Sequence, residues 1–163
     1  MRLSARVDYA LRAVTELASA QLVADSVGDQ TGPASPQLMT AEKLATAQNI
    51  PGKFLESILV QLRRGGIVSA QRGPDGGYWL MRSASEISLA DIIRVIDGPL
   101  AHIRGTRPED LGYTGAAKPL QDVWIALRAS EREILDMVTI ADVAANDMPT
   151  RVRELIADPE AWA

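Results

Sequence analysis

Apolar residues recur at Val7, Ala10, Leu11, Val14, Leu17 and Ala18, the i, i+3, i+4, i+7 spacing of an amphipathic helix. The pattern predicts a first helix from Ser4, its N-cap, to about Leu22. Val23 to Met39 breaks the period with Gly28, Gly32, Pro33 and Pro36, which reads as a long surface loop. Thr40 is placed to cap a short helix over Ala41 to Gln48, with Leu44 and Ala45 inward. Asn49 and Ile50 make a turn. Pro51 suits the first position of the next helix, where its missing N–H costs nothing. That helix is expected to run to about Arg64. Phe54, Leu55, Ile58, Leu59 and Leu62 form its inner face, and Lys53, Glu56, Ser57, Val60 and Arg64 its outer face. Gly65 and Gly66 stop it.

The period then changes. Ile67 to Arg72 and Tyr78 to Arg82 read as two short strands joined by the turn Gly73-Pro-Asp-Gly-Gly77. Ser88 caps a helix with Leu89, Ile92, Ile93 and Ile96 inward, closed by Gly98 and Pro99. Leu100 to Lys118 is irregular, with Gly105, Pro108, Gly112 and Gly115. Pro119 opens a long helix to about Val138, on which Leu120, Trp124, Leu127, Ile134 and Val138 recur near heptad spacing, interrupted at Ser130 and Glu131. A lone long helix with such a stripe commonly packs on a symmetry mate. A short closing helix starts at Thr139, and the acidic tail from Asn146 is expected to pack loosely.

The expected fold is mainly α with a small two-stranded β wing. A helix pair followed by such a ribbon is the layout of a winged helix-turn-helix head. Its expected extent is 1–98, with 23–39 as a loop insertion and 67–82 as the wing. A sensor or linker loop follows over 99–118. Then come a dimerisation helix with its short closing helix over 119–145, and a tail over 146–163.

Composition narrows the chemistry. Aromatics are scarce (Trp 3, Tyr 3, Phe 1 in 163 residues), so the core must be aliphatic. With no cysteine there is no disulfide, no thiolate and no cysteine-held metal or cluster. A single histidine excludes a His-cluster site. The N-terminal stretch carries charges inside its apolar run, unlike a signal peptide, and no uncharged run has bilayer length, so a cytoplasmic location is expected. The net charge of −4 conceals a gradient: Lys43 to Arg82 holds six basic residues against Glu56 and Asp75, whereas Ser83 onward holds eight basic and fourteen acidic. The positive charge therefore sits on the head, where a phosphate-facing surface needs it.

On that head, Lys53 is a candidate donor to guanine, Glu56 a candidate acceptor from cytosine, and Ser57 and Arg64 share the outer face. An outer charged face is most often just solvated; the adjoining wing is what favours DNA. Arg72 flanks a glycine-rich tip suited to a groove, and Arg82 follows the second strand. His102 is more often a solvated loop side chain than a ligand. Trp124 and Tyr113 are more often core or interface than pocket, and Glu109 and Asp110 are solvated neighbours rather than an acid/base pair. No nucleophile elbow, phosphate loop or HExxH pattern is present, so no enzyme is expected.

The run FLESILVQLRRGGIVSAQRGPDGGYWLMR resembles the Rrf-two family of bacterial winged-helix regulators, the IscR/NsrR/RirA/CymR-like group. MRLSARVDYALRAV, ISLADIIRVIDGPL and LQDVWIALRASEREILDMVTIADV agree with it, so that the resemblance covers most of Met1 to Val143. It implies a homodimer with crossing long helices that binds double-stranded DNA at a palindromic operator, most often as a repressor. The family's base-reading region falls on Pro51 to Ser57 and its wing contact on Arg72 and Gly73. The DNA-facing candidates are thus Arg2, Thr40, Pro51, Gly52, Lys53, Phe54, Glu56, Ser57, Arg64, Arg72 and Gly73, with Leu120, Trp124, Leu127, Ile134 and Val138 for dimerisation. Many members carry an iron–sulfur cluster on three cysteines in the loop after the wing. The corresponding loop, Leu100 to Lys118, has none, and Arg12 stands where some relatives place a further ligand. The expectation is a member without a cofactor, resembling those that answer to a small-molecule effector or an enzyme partner. An adaptor with weak or no DNA binding is the alternative.

Overall fold

The computed structural model describes residues 3–27, 37–100 and 102–162, the side chains of 24–27 and 162 excepted. Arg2 lies outside that set. Seven α-helices and one two-stranded sheet follow in order among these residues: α1 (Ala5–Val27), α2 (Ala41–Gln48), α3 (Gly52–Arg64), β1 (Val68–Gln71), β2 (Gly77–Leu80), α4 (Leu89–Asp97), α5 (Leu120–Met137), α6 (Ile140–Ala145) and α7 (Thr150–Ala157). The expected fold class, mainly α with a small wing, is the one observed.

α1 is the spine. Val7, Ala10, Ala13, Val14, Leu17 and Ala18 are all buried, and α2, α3, α4, α6 and β2 pack around them. Three alanines in that set let neighbouring helices approach closely, as dense interior packing requires. Ser4 caps α1, its Oγ accepting from the Val7 N–H at 3.2 Å. The helix continues to Val27, five residues past the expected end at Leu22, because VADSV contains no breaker before Gly28. The rest of the expected loop, 28–36, lies outside the described residues.

Local chemistry sets the helix starts. Thr40 caps α2 through the Lys43 N–H, and Asn49 ends it in the left-handed region at φ 50°. Ser88 and Asp91 form a reciprocal capping box on α4, and Thr139 and Asp142 form one on α6. Pro51 stands one place earlier than expected, as the N-cap of α3 rather than its first residue.

β1 and β2 pair antiparallel from Val68↔Leu80 to Gln71↔Gly77; β1 lacks Ile67 and Arg72 of the expected run, and β2 starts one residue earlier at Gly77 and ends before Met81. Met39, assigned from sequence to the loop, forms an isolated antiparallel bridge to Tyr78 of the wing. Its N–H donates to the Tyr78 carbonyl at 3.0 Å and its carbonyl accepts from the Tyr78 N–H at 2.8 Å. A Cβ on Gly77 would lie 2.8 Å from the Met39 carbonyl oxygen, so only glycine admits this approach.

Two further expectations are corrected. Phe54, assigned to the inner face of α3, is 53% exposed. Val138, assigned to the dimer stripe, is buried in the head at 3% exposure. The tail, expected to pack loosely, holds α7 and a 3-10 turn over Pro159–Trp162, and α7 buries no residue. The chain after α5 returns to the head. The Leu89 N–H donates to the Val138 carbonyl at 3.0 Å, the Ile140 N–H donates to the Ile87 carbonyl at 2.9 Å, and Ile140 is fully buried beside α1.

Candidate nucleic-acid interface

α3 is two-faced by construction. Leu55, Ile58, Leu59 and Leu62 are fully buried, while Lys53, Ser57, Val60 and Arg64 fall at i, i+4, i+7 and i+11 on the opposite side and are exposed. Lys53 and Arg64 are about 16 Å apart along the axis at 1.5 Å per residue, so one helix presents cations at both ends of a single stripe. Phe54 stands on the flank of that stripe, roughly 100° round from Lys53. Leu55, the next residue, turns onto the buried face and is fully buried, so the exposure of Phe54 follows from its angular position on the helix. Glu56 is exposed on the other flank. No side chain caps α3 at Pro51, so its first-turn amides, including that of Gly52, add a partial positive end beside Lys53.

Two contacts that sequence reasoning missed hold this face in place. Arg6, on α1, donates to Ser57 Oγ at 3.2 Å and to Gln61 Oε1 at 2.6 Å. The Ser57 hydroxyl in turn donates to the Phe54 carbonyl at 2.9 Å, which fixes the oxygen and leaves it one further acceptor position. Arg12 ties the other end of the helix pair: it ion-pairs with Asp8 at 3.1 Å and donates to the Gln48 carbonyl at the end of α2. Nothing local in the sequence marks Arg6 as a brace, because Ser57 and Gln61 lie more than fifty residues away, whereas Arg12 has Asp8 one turn before it.

The wing tip is open. Gly73 has φ 109° and accepts from the Gly76 N–H at 3.0 Å, and Arg72 beside it is exposed. Arg82 is turned away from the tip, donating to the Glu86 carbonyl at 3.2 Å and lying 3.6 Å from Asp91. Among the described residues Lys43, Lys53, Arg63, Arg64 and Arg72 make no ion pair, whereas Arg94, Arg128, Arg132, Arg151 and Arg153 all do. Five uncommitted cations therefore stand on the helix-turn-helix and wing, and Arg104, Arg107 and Lys118, between α4 and α5, are the others outside α1 without an ion pair among the described residues. Thr40 is exposed but its hydroxyl caps α2.

The other candidates resolve simply. His102 is exposed. Trp124 Nε1 donates to the Tyr113 hydroxyl at 3.1 Å, which fastens α5 to the preceding segment. Glu109 is not merely solvated: Arg128 meets it at 2.6 Å, and a backbone hydrogen bond together with that guanidinium lowers its carboxyl below the ordinary range. Among the described residues no helix is long and apolar enough to cross a membrane.

A recognition helix with a bridged, glycine-tipped wing beside it defines the chain as a winged helix-turn-helix protein. Residues 3–146 match the family model Rrf2, described as an iron-dependent transcriptional regulator, and the chain belongs to that family. A Mycobacterium tuberculosis (strain H37Rv) protein named as a candidate HTH-type transcriptional regulator, Rv1287, is 44% identical over 158 residues, covering 97% of this chain and 90% of that one. The HTH-type transcriptional regulator CymR of Bacillus subtilis is 31% identical over 145 residues, covering 89% of this chain and 91% of CymR. The solved structure of B. subtilis CymR, titled the global cysteine regulator, superposes with a TM-score of 0.68 over 90% of this chain and 98% of that one. The chain is a DNA-binding transcriptional regulator.

The family's description names iron, and the donor set here does not fit an iron–sulfur cluster. The chain has no thiolate, and among the described residues no three His, Cys, Asp or Glu side chains converge on a metal position.

Proposed function

We propose that the chain acts as a homodimeric repressor without a cluster, its two α3 helices and wings reading a two-fold-symmetric operator. The observation that carries the dimer is α5, eighteen residues long with no buried residue. Leu120, Val123 and Leu127 are 42%, 53% and 47% exposed, and with Ile134 they form one stripe. Arg128, Arg132, Leu135 and Asp136 lie on the opposite side. An apolar stripe of this length on a helix that buries nothing calls for a second helix, and a two-fold axis supplies an identical one. Val123 thereby takes the place that the sequence reading gave to Trp124 and Val138. Base contacts fall to Lys53, Phe54, Glu56 and Ser57, with Arg64, Arg72 and the Gly73 backbone on phosphate or groove. Half-sites are then about one helical turn apart, ~34 Å. Repression needs only occupancy of a promoter, whereas activation needs a further contact to polymerase.

Light scattering of the wild-type chain and of Leu127→Glu tests this. A wild-type dimer and a monomeric, folded variant with weakened binding to selected genomic fragments are expected. A monomeric wild-type chain overturns the dimer. An anaerobic preparation with visible absorption and stoichiometric iron overturns the absence of a cluster.

A further inference from the structure

Between the C-terminal half of α4, the segment after it and α5 lies a cleft of about 420 Å³. Four arginines line it, Arg94, Arg107, Arg128 and Arg132, with one carboxylate, Glu109, and an apolar wall at Leu100. The volume falls in the range of small-molecule sites, roughly 300–1,000 Å³.

Four guanidiniums around one cleft repel each other unless something holds them, and most are held. Arg94 meets Asp136 at 2.8 Å and Asp91 at 3.5 Å; Arg132 meets Asp136 at 3.3 Å through Nε; Arg128 meets Glu109 at 2.6 Å. Asp91 and Asp136 are not part of the lining. Arg107 has no ion pair among the described residues, and Arg132 meets Asp136 through Nε, which leaves its Nη groups for the cleft. A guanidinium carries five N–H donors in a planar fork, and none of these four spends more than two on its ion pairs. The result is a set of pre-positioned cations with donors to spare, the arrangement that recognises carboxylate and phosphate two oxygens at a time.

We propose that this cleft binds a small organic anion carrying two oxyacid groups, carboxylate or phosphate, and that the anion is the regulator's effector. Two groups are required because the cations come from separate elements: Arg94 from α4, Arg107 from the following segment, and Arg128 and Arg132 from α5. Leu100 favours a ligand with a short carbon chain over a bare inorganic ion. The bound anion clamps α4 to α5. α4 also packs on the end of α3, where Val95 meets Gly65, so the clamp bears on the recognition helix. The effector half of the proposal rests on the DNA-binding role above; the binding half does not.

Calorimetric titration of the full chain without DNA tests the binding. The probes are glutarate for two carboxylates and phosphoglycolate for a phosphate with a carboxylate, with acetate and inorganic phosphate as single-group comparisons. One site is expected, with a two-group probe at least about tenfold tighter than either single-group ion. Whichever two-group probe binds more tightly identifies the acid class. Arg107→Met, which breaks no ion pair, and Arg132→Met should each lower that affinity about tenfold, whereas Arg151→Met, outside the cleft, should not. No binding of either two-group probe, or equal binding by Arg107→Met and wild type, overturns the site. DNA affinity measured with and without the bound probe tests the effector role. A probe that binds at one site yet leaves DNA affinity unchanged overturns that role alone.

Discussion

A Cβ on Gly65 would lie 2.5 Å from one γ-methyl of Val95, closer than any relaxed packing allows. Gly65 closes the recognition helix at φ −81°, so its backbone is open to any residue and the demand for glycine is purely one of space. Gly65→Ala should therefore cost about 1–3 kcal/mol by overpacking. Val95→Ala should relieve most of that cost, so the pair should be strongly non-additive in a urea-unfolding cycle. Additive effects would show that the two residues are not in contact.

Lys53 and Arg72 are uncommitted cations on the helix and on the wing. If each meets a phosphate, alanine at either position should weaken DNA binding and reduce the slope of log affinity against log salt by about one unit. Binding titrations over a salt series read this directly, and unchanged slopes for both would remove these residues from the interface.

Arg6 works differently, because it holds Ser57 and Gln61 rather than lying on the outer stripe. Arg6→Met should lower operator affinity by ~3- to 10-fold, the effect of losing one or two hydrogen bonds that orient the helix. It should leave the salt slope at its wild-type value. A slope reduced by one unit would make Arg6 a direct phosphate contact instead.

Glu109 should titrate below the ordinary glutamate range, mainly through its backbone hydrogen bond and then through Arg128. A carboxyl whose folded pKa is depressed helps hold its surroundings above the unfolded pKa, and that help fades as pH falls through the folded value. The link between α5 and the segment before it, where the Gln121 amide donates to the Glu109 carbonyl at 2.9 Å, should thus stay ordered through mildly acidic conditions and loosen only below them. Carboxyl-carbon NMR of Glu109 across an acid titration checks the direction, and Glu109→Gln should abolish the transition.

Elements governed by neighbours in sequence were legible: the caps at Ser4, Thr40 and Ser88, the buried leucines of α3, and the glycine-rich wing. What sequence could not show depended on partners far along the chain. Met39 gained a strand partner, Tyr78, about forty residues away, and Arg6 became a brace for α3. The heptad reading of α5 placed Trp124 and Val138 on one stripe with Leu120, but the helix packs Trp124 against Tyr113 and the chain buries Val138 in the head. The same inward side carries Arg128 and Arg132, whose grouping with Arg94 and Arg107 no spacing rule predicts. Phe54 misled because an aromatic residue was counted with the inner face, although it stands about one residue's rotation away from Leu55, where that face begins.

The paired backbone hydrogen bonds between Ile87–Leu89 and Val138–Ile140 have a thermodynamic consequence. They seat Ile140 against α1, so the DNA-reading half cannot be cut free at residue 98 without opening its own interior to water. Calorimetry should accordingly record one cooperative melting transition for residues 3–146, and a fragment ending at 98 should behave as a partly unfolded, sticky polypeptide rather than as a portable module.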